Sequence, residues 1–104
     1  MSPEDRQGFD RLLGRLHRAL VAADEASFAA TVDRARSADD AELRRYLTST
    51  TIWGDADSVV GSAGFAAGRR KRLAIRGTLV ELAGALADRF PDDPIARTVF
   101  ERID

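Results

Sequence analysis

The spacing of apolar residues constrains this chain more than any other feature. They recur three and four positions apart along most of the sequence and show no sustained two-residue alternation of the kind a half-buried strand requires. Phe9, Leu12, Leu13, Leu16 and Leu20 show it best: at about 100° per residue they share one narrow arc, with Arg11, Arg15 and Arg18 on the far side. Ahead of them stand Ser2, a capping hydroxyl, Pro3, suited to the first helical position, and Glu4 and Asp5, carboxylates for the positive end of a helix dipole. The pattern predicts an amphipathic helix to about residue 22. Extended along the chain, it predicts an all-α fold, a small orthogonal bundle of four or five short helices.

Asp24 is the expected cap of a second helix with Phe28, Val32 and Ala35 inward. Ser37 with Asp40 three residues on resembles a capping box for a third, which turns Leu43, Tyr46 and Leu47 inward. Ser49, Thr50 and Thr51 are polar and largely β-branched, a poor combination for a helix interior. The chain is therefore expected to leave helical geometry over residues 52–57, its main loop, which holds Trp53. After Gly61, Gly64 and Gly68 a long helix should run from Phe65 or Arg69 to Arg89, where Pro91 denies helical geometry to Phe90. Its two apolar stripes, Ile75, Leu79, Leu82 and Leu86 beside Leu73, Val80 and Ala87, predict two packing neighbours and a central place in the bundle. Gly77 and Gly84 would admit a close backbone. Asp93 and Pro94 restart a last helix with Ile95, Val99 and Ile103 inward.

With 104 residues, no repeat and no linker-like tract, the chain reads as a single helical domain over 1–104. It has no cysteine, which removes thiolate catalysis, zinc fingers, iron–sulfur clusters and disulfides. With one histidine, no metal and no cofactor are expected. The start of the chain is polar, and the longest apolar run covers only residues 19–23. No membrane segment is therefore expected, and a cytoplasmic protein is. Fifteen of the sixteen basic residues are Arg and eighteen residues are Ala, a bias that points to GC-rich coding and a bacterial source.

Charge is segregated. No acidic residue lies between Asp57 and Glu81, whereas Arg69, Arg70, Lys71, Arg72 and Arg76 do, in a chain whose net charge is −1. Arg69, Arg72 and Arg76 fall between the two apolar stripes of the long helix. Their stems could snorkel past the core edge, pair with Asp55 and Asp57, or line an anion site. The glycines ahead of them do not form a phosphate loop, since neither G-x-x-x-x-G-K-[ST] nor G-x-G-x-x-G is present. Asp55-x-Asp57-Ser58 lacks the glycine and glutamate of a calcium loop. His17 sits beside the apolar arc of the first helix, a position suited to packing, and no sequence neighbour marks it as a general base.

Trp53, the only tryptophan, has two readings: a plug for the core where the third helix ends, or an anchor for a partner. Trp53, Gly54 and Ser58 fit a W-G-G-x-G-S segment that precedes a long helix, with Asp55 and Asp57 in place of the second and third glycines. On these residues the chain, over 43–90, resembles a group of small uncharacterised bacterial helical proteins. The resemblance implies a loop-plus-helix module and carries no activity.

These features lead to the expectation of a non-catalytic protein-interaction module of the immunity, antitoxin or regulatory type. Its protein partner would meet a surface made of Trp53, Asp55, Asp57, Arg69, Arg72 and Arg76. The second reading is a nucleic-acid-associated regulator using 69–76, disfavoured by the overall charge of −1. The third is a small-ligand binder or enzyme. Monomer and homodimer stay open.

Overall fold

The computed structural model describes residues 1–61 and 67–94, with Ala96 and Thr98. Five helices are formed among these residues: α1 (Pro3–Ala22), α2 (Ala26–Arg36), α3 (Asp40–Leu47), α4 (Thr50–Gly61) and α5 (Arg69–Arg89). No strand occurs among the described residues, so the all-α expectation holds. No helix among them is long and apolar enough to cross a membrane. Residues 94, 96 and 98 are helical and Ala96 is fully buried, whereas Ile95, Val99 and Ile103 lie outside the described residues, as do Gly64 and Phe65.

α1 starts as its sequence dictates: Ser2 Oγ accepts from the Asp5 amide at 3.1 Å, Pro3 opens the helix, and Glu4 and Asp5 occupy the first turn. Its end differs. Asp24 caps no helix but adopts a left-handed φ of 59°. The Asp24 amide donates to Val21 O at 3.1 Å and the Glu25 amide to Leu20 O at 2.9 Å. That paired arrangement closes a helix C-terminus, and aspartate replaces the usual glycine because its short polar side chain tolerates the left-handed region. α2 consequently begins with no side-chain cap.

The third helix is capped two residues later than expected: Asp39, not Ser37, accepts from the Glu42 amide at 2.8 Å. The larger correction concerns residues 52–57, which form no loop. The chain breaks only at Thr48 and Ser49, whose hydroxyls donate to Arg44 O and Tyr46 O at 2.8 and 2.7 Å and satisfy carbonyls at the end of α3. Helical geometry then resumes at Thr50, because Ile52, Trp53, Ala56 and Val59 share a face that is buried.

All five helices contribute to one core cluster, in which Phe9, Leu13, Leu16 and Leu20 of α1 meet Val32, Leu43, Leu47, Ile52, Leu79 and Leu82, among others. The centre of the bundle is α1, which packs against both α2 and α5, and not α5 as its two stripes suggested. Ile75, Leu79, Leu82 and Leu86 are buried, but Leu73 is 52% exposed and Val80 and Ala87 only half-buried, so the second stripe has no full partner among the described residues. Close approach is likewise made on α1. A Cβ on Gly8 or Gly14 would meet the guanidinium of Arg89 or Arg36 at 3.4 Å, whereas one on Gly77 would meet nothing within 4 Å.

Arginines fasten the outside. Arg6 reaches Asp10 at 3.2 Å and Asp40 at 2.9 Å, and donates to Arg36 O and Ala38 O, tying α1 to the corner between α2 and α3. Arg89 pairs with Asp5 at 3.0 Å and lies over Phe9, which stacks on Phe90 with ring centres 6.1 Å apart. Arg15 pairs with Glu81 at 2.7 Å.

Tyr46, the only tyrosine, shares a 3.2 Å hydroxyl contact with Thr31 across α2 and α3. Burial pushes its phenol above the ordinary value of 10.0; the Thr31 hydrogen bond opposes this and the negative charge of Asp55 adds to it. The folded value being the higher one, the contribution of this group to stability is complete below pH 10.0 and is lost as pH rises through the folded value. Denaturant midpoints should therefore fall in alkali, with tyrosinate absorbance appearing above its normal range, and Tyr46→Phe should remove that part of the fall. An equal alkaline loss in the variant would place the sensitive group elsewhere.

Candidate functional site

Gly68 sets the start of α5. Its φ of 95° and ψ of 160° are open to glycine and strained for other residues, and its carbonyl accepts the Arg72 amide at 3.1 Å to close the first turn. Four cations follow at once, Arg69, Arg70, Lys71 and Arg72, with Arg76 one turn on, and all five are exposed. No carboxylate occupies the first turn of α5 and no side chain caps it, in contrast to Ser2 at α1 and Asp39 at α3.

Local electrostatics oppose this arrangement. Cations at a helix N-terminus meet the positive end of the dipole, each at a cost of about 0.3–1 kcal/mol at low ionic strength. Like charges three and four apart, as in Arg69 with Arg72 and Arg72 with Arg76, add their own repulsion. Among the described residues no ion pair joins any of the five to a carboxylate, and of the three arrangements open to Arg69, Arg72 and Arg76 the exposed, solvated one is seen. Gly68, Arg69, Arg72, Leu73 and Arg76 line a concavity of about 540 Å³.

The residues expected to share one surface are divided by α4. Trp53 is only 6% exposed, and its Nε1 donates to Leu47 O at 2.7 Å, so the indole bridges α3 and α4 from inside the core. It supplies no aromatic centre to a surface. Asp55 and Asp57, two residues apart on a helix, point about 200° away from each other. Asp57 is exposed, whereas Asp55 is half-buried and its charge acts on the Tyr46 hydroxyl. What stays together is the arginine row of Arg69, Arg72 and Arg76.

Sequence reasoning missed Leu73, which it placed in a buried stripe and which lies exposed among those arginines. The signal was present in its neighbours: an apolar residue flanked by four cations is poorly placed to be drawn into a core. His17 is half-buried on α1. Among the described residues no cluster of three or more histidines and carboxylates could hold a metal ion.

A second concavity, of about 470 Å³, lies over Thr31, Tyr46 and Ser49 between α2, α3 and α4. The hydroxyls of these three residues are engaged within the protein, Thr31 to Phe28 O and Tyr46, and Ser49 to Tyr46 O. These three hydroxyls are thus occupied in joining α2 to α3 and finishing the end of α3.

Comparison of the chain with known protein families, characterised proteins and solved structures found no match.

Proposed function

We propose that this is a non-catalytic protein-interaction module and that the start of α5, with Arg69, Arg72 and Arg76 around Leu73, is its docking face for a protein partner. One observation carries the reading: four exposed cations crowd the first turn of α5, against the positive end of its dipole, with a fifth, Arg76, one turn on and no carboxylate to relieve them among the described residues. A feature that opposes the local electrostatics and meets no carboxylate among the described residues supports a reading in which an acidic surface outside the fold meets it. An acidic partner surface supplies both the missing charge and the missing cap.

Leu73 favours protein over nucleic acid. A phosphate backbone offers an aliphatic side chain nothing to cover, while interfaces between proteins combine an apolar centre with a charged rim. The basic face is also short, about two helical turns, in a chain of net charge −1.

The test is the double variant Arg69→Glu, Arg72→Glu, which reverses the face and places acids at the positive end of the dipole. Partner proteins retained from a lysate of the source organism by the wild type should be lost by the variant. Its denaturant midpoint should stay level or rise, because each replacement relieves roughly 0.3–1 kcal/mol of unfavourable dipole interaction. An unchanged set of retained proteins would remove α5 from the interface. Low-micromolar binding to generic duplex DNA at physiological salt, with a log–log salt slope of about −0.9 per phosphate contact, would replace the proposal with the nucleic-acid reading.

A further inference from the structure

Resting on that reading, we infer that the partner element at α5 is an acidic amphipathic helix, its carboxylates spaced three and four residues apart against Arg69, Arg72 and Arg76 and an apolar side chain laid on Leu73. The steps along α5 decide the spacing. Arg69 to Arg72 and Arg72 to Arg76 are rises of about 4.5 and 6 Å at 1.5 Å per residue. Carboxylates three and four apart on a second helix reproduce both steps in order. An extended peptide presents same-side groups at about 6.8 Å intervals and matches only the longer step.

The chemistry of the row agrees. Guanidinium groups bind carboxylates through two parallel hydrogen bonds, which gives the row orientation as well as charge. Leu73 lies among the three arginines, one residue after Arg72 and three before Arg76, and is 52% exposed. A facing helix can keep an apolar residue inside its carboxylate row, since positions three and four apart share a face. Docked carboxylates also offset the repulsion between the arginines and the adverse dipole at residues 69–72, so binding should order the first turns of α5.

The inference is tested with synthetic helical peptides of about 14 residues, capped at both ends, in an Ala and Gln background. One carries Glu at its third, sixth and tenth positions and Leu at its seventh; a second has the same composition reordered so that the acids share no face. At an ionic strength of about 0.15 M, fluorescence anisotropy should show the patterned peptide binding at least roughly tenfold tighter than the reordered one. The variant Arg69→Glu, Arg72→Glu, Arg76→Glu should lose it, Leu73→Ser should weaken it severalfold, and amide exchange over 70–76 should slow on binding. Circular dichroism of each variant establishes that these exposed changes leave the fold intact.

Equal binding of the two peptides, or binding of neither, overturns the inference. The docking-face reading then survives on its own if lysate capture still depends on Arg69 and Arg72. Tighter binding to a 20-base-pair duplex than to the patterned peptide overturns both.

Discussion

Trp53→Ala should destabilise the protein by about 3–5 kcal/mol, the usual cost of removing a buried large aromatic. The indole is 6% exposed, so the truncation leaves a cavity among Leu47, Ile52 and their neighbours that the fixed helices close only in part. The loss also strands Leu47 O, which accepts from the indole at 2.7 Å at the end of α3. Trp53→Phe separates the two contributions, keeping much of the ring volume while giving up a hydrogen bond worth about 1 kcal/mol. Urea unfolding followed by far-ultraviolet circular dichroism gives both numbers. A cost near zero for Trp53→Ala, with partner capture abolished, would instead make this residue an anchor on the surface.

Leu16→Ala and Leu82→Ala should each cost about 2–5 kcal/mol, since the lost transfer energy and the cavity add. Both side chains are fully buried, one on α1 and the other on α5, the two helices that pack together along the bundle. Leu73→Ala is the internal control: on the same helix as Leu82 but half-exposed, it should fall within about 0.5 kcal/mol of the wild type, the range of ordinary surface changes. Similar losses for Leu73 and Leu82 would mean that both faces of α5 are covered and that the docking face is closed.

How far the sequence could be read depended on whether one physical signal or two acted at a position. In α1 the cap, the proline, the acids and the apolar arc all agree, and the helix forms where they place it. At residues 49–53 they conflict: β-branched polar residues speak against a helix, while the spacing of Ile52, Trp53, Ala56 and Val59 speaks for one. Burial of that face outweighs local propensity, and the hydroxyls that suggested a loop serve instead to finish α3. Asp24 shows the same ambiguity, since aspartate suits both a helix cap and a left-handed turn, and only the packing of α2 on α1 chooses.

For the candidate site, charge segregation was legible because it is a property of composition along the chain. The expected partnership between residues 53–57 and 69–76 failed because it depended on a loop that is a helix with Trp53 on its buried face. Two apolar stripes on α5 likewise gave no sign of which would be covered. The answer lay in α1, whose buried glycines let the side chains of Arg36 and Arg89 pass close over its backbone and whose long arc takes the central position.

The central position of α1 bears on the order in which the bundle assembles. Its two principal contacts lie at opposite extremes of sequence distance: α2 follows after the short turn at residues 23–25, whereas α5 begins only at Arg69. Closing the longer connection costs about 2 kcal/mol more chain entropy than closing the shorter. The α1–α2 hairpin, fastened at its open end by Arg6, is therefore expected to form early, before α5 docks on α1. On this route the helix that carries the basic face joins the α1–α2 hairpin after it has formed.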